Sequence, residues 1–294
     1  MCKAAFIINP VSGLSHKDHL RDQIVQGMRK HQAGHEILFT QYPLHAYHLA
    51  REYVGKGFDI IVAVGGDGTV NEIAHALVHT SVKMGIIPTG SGNGLAHFLG
   101  LPFNIEKAID NICQANTKAI DTMLVNQKRF VNVAGVGFDA MISRKFAAMD
   151  RRGFWSYFKL VLQEYSGYVP RKYLIEYQGK QIQRTPLLIA FANSNQFGNN
   201  AIIAPQARID DGLIDVCILT KVSLLQAPML GRMLMFNPSK QNPFVEYLRV
   251  PELMVTQQND GNCHIDGEPF ECGKKLNIQV DSLSLNIIVP STVK

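Results

Sequence analysis

The sequence predicts an α/β N-terminal domain with a parallel sheet, followed by a C-terminal β-rich sandwich domain. Three observations carry that reading. Up to about residue 117, short β-branched runs alternate with amphipathic segments, the pattern of a parallel sheet covered by helices on both faces. After that point strand-like runs follow one another, as in an antiparallel sheet or sandwich. The chain has 294 residues, and at roughly one domain per ~150 residues that length fits two. We place the domains at 1–125 and 126–281.

Each element of the first half has its own signal. KAAFIIN (3–9) reads as a strand. Ser15 to Gly34 reads as a helix, because Ser15 and Asp18 form a capping-box pattern and Leu20, Ile24 and Met28 recur at four-residue spacing. HEILFT (35–40) is a strand, 44–54 a helix ending at Gly55, and FDIIVAV (58–64) a buried strand. A helix from about Val70, a strand at KMGIIP (83–88) and short helices from about Gly92 and Ile105 follow. In the second half FVNVAGV, KYLIEYQ, LLIAFAN, LIDVCIL, LNIQV and LNIIV read as strands, interrupted by helical stretches near 138–167 and 222–236.

Composition removes several function classes. With 46% hydrophobic residues the chain buries a core, and intrinsic disorder is excluded. The net charge of +5 is too small for a nucleic-acid binder unless concentrated, and no nucleic-acid partner is expected. No apolar run reaches the ~18–20 residues that cross a bilayer, and MCKAAFIINP lacks the shape of a signal peptide. The five cysteines show no CxxC spacing, which argues against a disulfide framework or a structural zinc. A cytoplasmic protein is the simplest expectation. His45 with His48, and His16 with His19, lack the further ligands of a metal site, and the absence of GxSxG argues against a hydrolase.

Three strand-end loops hold the chemistry: NPVSG (Asn9–Gly13), GGDGTVNE (Gly65–Glu72) and PTGSGNG (Pro88–Gly94). In open parallel sheets ligands bind outside the carboxyl ends of strands, so the loops converge on one crevice. Glycine lets backbone approach a phosphate, and helix N-termini offer it N–H groups. Thr69 with Glu72 fits a capping box that places Gly66–Thr69 at such a terminus. Asp67, embedded among glycines, would repel phosphate unless it binds a metal or acts as a base. PTGSGNGLA lacks the Lys-Ser/Thr of a P-loop. GVGFDA (135–140) matches a dinucleotide fingerprint only formally, because it lies in the strand-rich half.

The order NPxSG, Thr40 with His45-Ala46, GGDGTVNE, PTGSGN and a C-terminal DGE at Asp266–Glu268 resembles the diacylglycerol kinase and sphingoid kinase family of lipid kinases, over essentially the whole chain. GGDGT alone also resembles NAD kinases. The resemblance implies the NAD kinase/diacylglycerol kinase-like fold, with residues 282–294 returning to the first domain. It implies transfer of the γ-phosphate of ATP, with Mg²⁺, to a hydroxyl of a diacylglycerol-like or sphingoid lipid.

Residue by residue, the resemblance places ATP at Asn9, Pro10, Val11, Ser12 and Gly13, at Thr40, at Gly65, Gly66, Asp67, Gly68, Thr69, Val70 and Asn71, and at Thr89, Gly90, Ser91, Gly92 and Asn93. Asp67 matches an acid linked to magnesium or to deprotonation of the acceptor. Glu268 matches the proton acceptor, with Asp266 beside it. Asp211 with the carbonyls of Arg208 and Leu213 matches a structural magnesium site, and Asp121 an aspartate network around catalytic magnesium. Asp139 is a candidate for contacting the acceptor's polar head; its plainer role is to cap the following helix. Many bacterial diacylglycerol kinases read GTxND where this chain reads GSGNG, so Gly94 replaces an aspartate of that network, and GSGN resembles the sphingoid and ceramide branch.

The net charge is localised. Arg144 to Lys172 holds seven basic and two acidic side chains, and the rest of the chain is neutral; within it Arg151 to Lys172 carries the only Trp of the chain, two Phe and three Tyr. Phe154, Phe158, Val161, Leu162 and Tyr165 share a helical face that docks on a core. The alternative is a helix lying on a membrane surface, with Trp155 and the basic side chains at head-group level. A lipid acceptor at a membrane surface, met peripherally rather than by a transmembrane segment, fits the second reading, and a homodimer is compatible with both. Two other functions compete: a kinase of a soluble acceptor such as NAD, and a nucleotide- or lipid-binding regulator without activity. GSGN and DGE weigh against the former and the retained acids against the latter.

Overall fold

A computed structural model describes the chain apart from residues 1–2, 14–16, 150–153, 199–200, 237–238, 240 and 292–294. The chain divides into unit 1, Met1–Ile120 with Leu283–Lys294, and unit 2, Asp121–Ser282.

Unit 1 runs β1 (Lys3–Ile8), α1 (Lys17–Lys30), β2 (Gly34–Phe39), α2 (His45–Gly55), β3 (Ile60–Gly65), α3 (Asp67–Leu77), β4 (Lys83–Pro88), α4 (Gly94–Phe98) and α5 (Ile105–Gln114). β2, β1, β3 and β4 lie side by side in parallel. The closing stretch of the chain adds a further parallel strand, with Ile287 opposite Met84. β3 is buried along its whole length, as expected of a strand covered on both faces. Leu20, Ile24 and Met28 of α1 pack with Ile109 and Ile112 of α5 over Phe6, Val62 and Val64. Each such buried aliphatic side chain stabilises by ~1.5–3 kcal/mol.

Helix ends depart from the sequence reading where tertiary contacts set them. α1 stops at Lys30 rather than Gly34, because Gln32 takes a φ of 50° and Ala33 N–H closes on Met28 C=O at 3.1 Å. The Ser15–Asp18 capping box lies outside the described residues. α3 begins at Asp67, three residues before Val70, with Gly66 as an N-cap that makes no side-chain hydrogen bond. The expected Thr69–Glu72 capping box does not form. Glu72 instead accepts the N–H groups of Leu44 and Ala46, each at 3.0 Å, and so caps α2.

Unit 2 takes up the chain within β5 (Thr117–Val125) and continues through β6 (Lys128–Phe130), β7 (Val133–Gly137), α6 (Phe138–Ala147), α7 (Phe154–Tyr165), β8 (Tyr173–Tyr177), β9 (Lys180–Arg184), β10 (Leu188–Ala192), β11 (Gln196–Gly198), β12 (Ala201–Ile202), β13 (Ile214–Leu219), α8 (Ala227–Phe236), β14 (Val245–Val250), β15 (Glu252–Ile265) and β16 (Glu268–Ile288). β14, β13, β10, β7 and β15 pair antiparallel in that order, and β15 pairs with β16 and β8. Residues alternate between two cores. Ala134, Val136, Ile189, Phe191 and Val216 face a strand-covered core with Ile175, Val255 and Leu276. Val133, Leu188, Ala190 and Cys217 face a core shared with Phe138, Leu160 and Leu230 of the helices. This is the β-rich sandwich.

The helical stretch near 138–167 is two helices, α6 and α7. Leu160, Val161 and Tyr165 of α7 pack inward, whereas Trp155, Phe158 and Leu162 are exposed. The single face through Phe158 and Leu162 is therefore corrected. α7 is oriented instead by Lys145 on Glu164 at 2.5 Å, Phe146 against Tyr157, and Tyr165 hydrogen-bonded to Val222. Among the described residues no helix is long and apolar enough to cross a membrane.

Candidate active site

In unit 1 the three predicted loops meet at the carboxyl ends of β1, β3 and β4. Asn9 follows β1, and its amide reads both directions: Nδ2 donates to Thr69 Oγ1 at 3.1 Å and Oδ1 accepts Val11 N–H at 3.0 Å. Ser12 Oγ donates to Asn9 C=O at 2.8 Å and lies 3.0 Å from Thr89 Oγ1. Pro10 is half-buried and Val11 fully exposed. Thr40 joins them from the end of β2 through its N–H on Ile8 C=O. The hydroxyls and amides of the first and third loops thus form one polar rim.

Backbone approaches backbone beneath that rim. A Cβ on Gly90 would lie 2.5 Å from Gly66 Cα, and one on Gly13 would lie 2.1 Å from Thr89 C=O. Any side chain at either position would push the loops apart. Gly66 leads into α3, whose first residues are Asp67, Gly68 and Thr69, and Val70 N–H closes the first turn on Gly66 C=O. Val70 is buried and Asn71 half-buried. In the third loop Asn93 Oδ1 accepts Gly90 N–H at 3.0 Å and its Nδ2 donates to Gly90 C=O, which folds Ser91 and Gly92 into a tight turn.

Asp67 joins two of these loops. Oδ2 accepts Asn93 N–H at 2.8 Å and Oδ1 accepts Gly94 N–H at 2.9 Å. The carboxylate therefore holds the start of α4 against the start of α3.

In unit 2 the DGE motif is the turn of the β15–β16 hairpin. Asp266 and Gly267 have φ of 47° and 88°, as a two-residue type I′ turn requires, and Ile265 pairs with Glu268. Asp266 is buried. Its Oδ2 accepts Val131 N–H at 3.0 Å, and its Oδ1 accepts Asn132 N–H at 2.9 Å and Val133 N–H at 3.1 Å. Glu268, at the first position of β16, is exposed. The motif thus combines a buried anchor with an exposed carboxylate.

Asp121 and the 208–213 turn come together. Asp121 is fully buried and its Oδ2 accepts Gly212 N–H at 2.7 Å. Asp211 Oδ1 accepts Leu213 N–H at 3.1 Å. Its Oδ2 pairs with Arg249, which also reaches Asp215 at 3.2 Å. Arg208 pairs with Asp210 at 3.5 Å. Burial pushes the Asp215 carboxyl up to about 6, although Arg249 opposes the shift, and Asp215 Oδ2 is buried without a hydrogen-bond partner.

Asp139 opens α6, but the N-cap is Gly137. Asp139 Oδ1 accepts Ala140 N–H at 2.8 Å, and Oδ2 lies 3.0 Å from His264 Nε2. Sequence reasoning missed His264 and Arg249, whose partners lie 125 and 38 residues away.

The diacylglycerol kinase catalytic domain family matches residues 3–125. The YegS C-terminal NAD kinase beta sandwich-like domain matches residues 132–289. A diacylglycerol kinase of Bacillus subtilis is 29% identical over 276 residues, covering 91% of this chain and 90% of its own. A Chromohalobacter salexigens protein named "Probable lipid kinase YegS-like" is 30% identical over 249 residues, covering 82% and 80%. A crystal structure of a diacylglycerol kinase from Bacillus anthracis str. Sterne aligns with a TM-score of 0.78 at 20% identity, covering 99% and 98% of the two chains, which shows the shared fold.

Proposed function

The chain belongs to the lipid kinases that join a diacylglycerol kinase catalytic domain to a YegS C-terminal domain, and from that premise we propose that it moves the γ-phosphoryl group of ATP to a hydroxyl of a diacylglycerol-like or sphingoid lipid. The observation that carries the nucleotide half is the backbone-on-backbone packing of Gly66 with Gly90 and of Gly13 with Thr89. It leaves main-chain N–H groups and small hydroxyls, rather than bulky side chains, at the strand ends. Phosphate oxygens accept such groups, and the N-terminus of α3 favours their charge.

Asp67 fits a role as Mg²⁺ ligand, because the Asn93 and Gly94 N–H groups fix its carboxylate at the start of α3, beside the glycine loops. Among the described residues no cluster of three or more His, Cys, Asp or Glu could hold a metal. Mg²⁺ is commonly held by one or two carboxylates together with substrate phosphates, so Asp67 and ATP would share it. When bound, the ion offsets the negative charge of the phosphoryl oxygens. Asp121, matched to a magnesium network by the resemblance alone, is tied in this structure to the 208–213 turn through Gly212 N–H. Asp211 with the Arg208 and Leu213 carbonyls remains a structural cation site, to which the unpartnered Asp215 Oδ2 adds acceptor capacity.

Glu268 is the general base in this reading. A lipid hydroxyl is a weak nucleophile, and a carboxylate that removes its proton speeds attack by ~10²–10⁴-fold. The type I′ turn and the Asp266 anchor hold Glu268 in place while leaving its carboxylate exposed. Asp139 meets the polar head of the acceptor. Contact with a bilayer falls to the exposed Trp155, Leu162, Leu225, Met229 and Phe236, accompanied by Lys159 and Arg232; Trp at head-group depth and basic side chains against anionic lipid favour such a surface.

Radiolabelled ATP offered with diacylglycerols, sphingosine, ceramide, monoacylglycerols and NAD tests the function. Label entering a lipid is expected, and label entering NAD alone would refute it. Sedimentation with neutral and anionic vesicles tests the membrane surface. Stronger binding to anionic vesicles, reduced in Arg232→Glu, is expected; equal binding to both removes the electrostatic part.

A further inference from the structure

Cys263 and Cys272 stand on opposite strands of the β15–β16 hairpin, and their thiols hydrogen-bond each other inside unit 2. Both belong to the strand-covered core, at 0% and 5% exposure. Neither takes part in the proposed phosphoryl transfer. In a regular ladder such diagonal neighbours lie about 7–8 Å apart, beyond the ~4.4–6.8 Å between Cα atoms that a disulfide spans. This ladder is not regular. It passes from Gly261 opposite Gly273 to Asn262 opposite Glu271, which leaves Cys272 as the extra residue of a β-bulge with its thiol against Cys263.

The two thiols are inequivalent. Burial, then the bond to Cys272, pushes the Cys263 thiol up, so it keeps its proton. The same bond pulls the Cys272 thiol down from its ordinary value against the effect of burial, helped by the Gln257 amide, whose Nε2 donates to Cys272 Sγ at 3.5 Å. In its neutral form Cys272 donates to Gly261 C=O at 3.1 Å. A stabilised thiolate touching a second thiol is the arrangement of a redox-responsive pair, in which one sulfur meets the oxidant and the other resolves the product. The bulge also gives access. A Cβ on Gly273 would meet nothing within 4 Å, so open space begins one residue from Cys272, and Glu271 and Lys274 beside it are exposed. Hydrogen peroxide is little larger than water.

We infer that Cys272 and Cys263 form an oxidation site for peroxides, whose disulfide restrains the hairpin that carries Glu268 and slows phosphoryl transfer. The Cys272 thiolate attacks one peroxide oxygen, the O–O bond breaks, and the departing hydroxide takes up a proton to leave as water. Cys263 Sγ then attacks the sulfur of the resulting Cys272 sulfenic acid. The S–S bond forms, the S–O bond breaks, and the hydroxyl leaves with the Cys263 proton as a second water. Two electrons pass from the two thiols to one peroxide, and an external thiol reverses the step by exchange. The disulfide draws Cys272 away from Gln257 and Gly261. It shears the ladder steps that lead to the turn, where Cys263 faces Phe270, His264 faces Pro269 and Ile265 faces Glu268. A reacting group misplaced by about 1 Å costs up to ~10²-fold in rate. The effect on turnover rests on the proposed role of Glu268 as base.

The reduced full chain is treated with hydrogen peroxide, blocked with iodoacetamide in urea and mapped by peptide mass spectrometry. Cys263→Ala and Cys272→Ala are treated in parallel, with dimedone to trap sulfenic acid. In the parent, the segment holding Cys263 and Cys272 is expected to be two hydrogens lighter and closed to iodoacetamide until dithiothreitol is added. Cys263→Ala is expected to take dimedone at Cys272, and Cys272→Ala to keep Cys263 as a thiol. Should either variant fail to fold by thermal melting, the map of the parent carries the test. Free thiols at both positions after peroxide, or a disulfide through any other cysteine, would overturn the site. Lipid phosphorylation is expected to fall about tenfold or more in the oxidised parent, to recover with dithiothreitol, and to withstand peroxide in Cys272→Ala. Unchanged turnover in a parent that mapping shows to be fully cross-linked would overturn the effect on transfer. A reduced parent that phosphorylates no lipid would instead overturn the kinase reading, while the map still decides the oxidation site.

Discussion

Replacing Asp266 separates anchoring from chemistry in the DGE motif. Its carboxylate accepts three N–H groups from Val131, Asn132 and Val133, at 3.0, 2.9 and 3.1 Å. All three residues are buried, at 1%, 4% and 2% exposure, so water cannot replace the lost acceptor. Hydrogen bonds to a charged group contribute ~1.5–3 kcal/mol each, and each buried donor left unpaired costs ~1–3 kcal/mol. These terms overlap, so Asp266→Ala is expected to destabilise unit 2 by about 3–5 kcal/mol, including ~1 kcal/mol for placing alanine at a left-handed φ. Asp266→Asn keeps the turn, because asparagine tolerates that φ, and keeps one acceptor oxygen; about 1–3 kcal/mol is expected to be lost at Val131. Urea denaturation of the full chain, followed by phosphotransfer assays on the folded variants, reads both effects. Asp266→Ala within about 1 kcal/mol of the parent would refute the anchoring role. A fully stable but inactive Asp266→Asn would show that Asp266 takes part in the chemistry.

Gly90→Ala forces a methyl group to 2.5 Å from Gly66 Cα; we expect about 1–3 kcal/mol of destabilisation and weaker nucleotide binding by calorimetry. Unchanged affinity would exclude this contact from the nucleotide site. Glu72→Ala removes the cap on Leu44 and Ala46 and is expected to cost about 1 kcal/mol in urea denaturation, with Glu72→Gln losing less. Burial lowers the pKa of His97 from its ordinary 6.5. The folded state therefore binds this proton less readily than the unfolded chain, and the stability it contributes is full above pH 6.5 and lost as pH falls below it. The thermal midpoint should accordingly drop further between about pH 7.5 and about pH 5.5 in the parent than in His97→Gln, and equal drops would refute the assignment.

What the sequence made legible follows from the range of the interactions involved. β4 spans Lys83–Pro88, as read from KMGIIP, because a continuous apolar run bounded by polar residues is a local signal. The start of α3 was displaced because Gly66, Asp67 and Gly68 have weak helix propensity. The Asp67 side chain is held instead by N–H groups 26 and 27 residues away. The glycine loops were legible as a candidate site, since the need for close backbone approach is written in the residue type itself. The Asp139–His264 pair was not, because its members stand 125 residues apart and nothing in GNCHIDG marks whether the histidine meets a buried carboxylate or solvent.

The same difference in range bears on how the three motif acids should be tested. Asp67 and Asp266 each spend their carboxylates on backbone N–H groups of distant segments. Removing either disturbs the loop or hairpin that other residues depend on. Lost turnover in an alanine variant at those positions therefore carries no assignment of a chemical step. Glu268 stands apart, exposed on the hairpin that Asp266 secures. Glu268→Gln keeps the size and hydrogen-bonding capacity of the side chain and removes only its ability to take a proton. It is expected to leave stability and nucleotide affinity unchanged while turnover falls by ~10²–10⁴-fold. Full turnover in that variant would move the base to Asp67, the carboxylate set among the glycine loops.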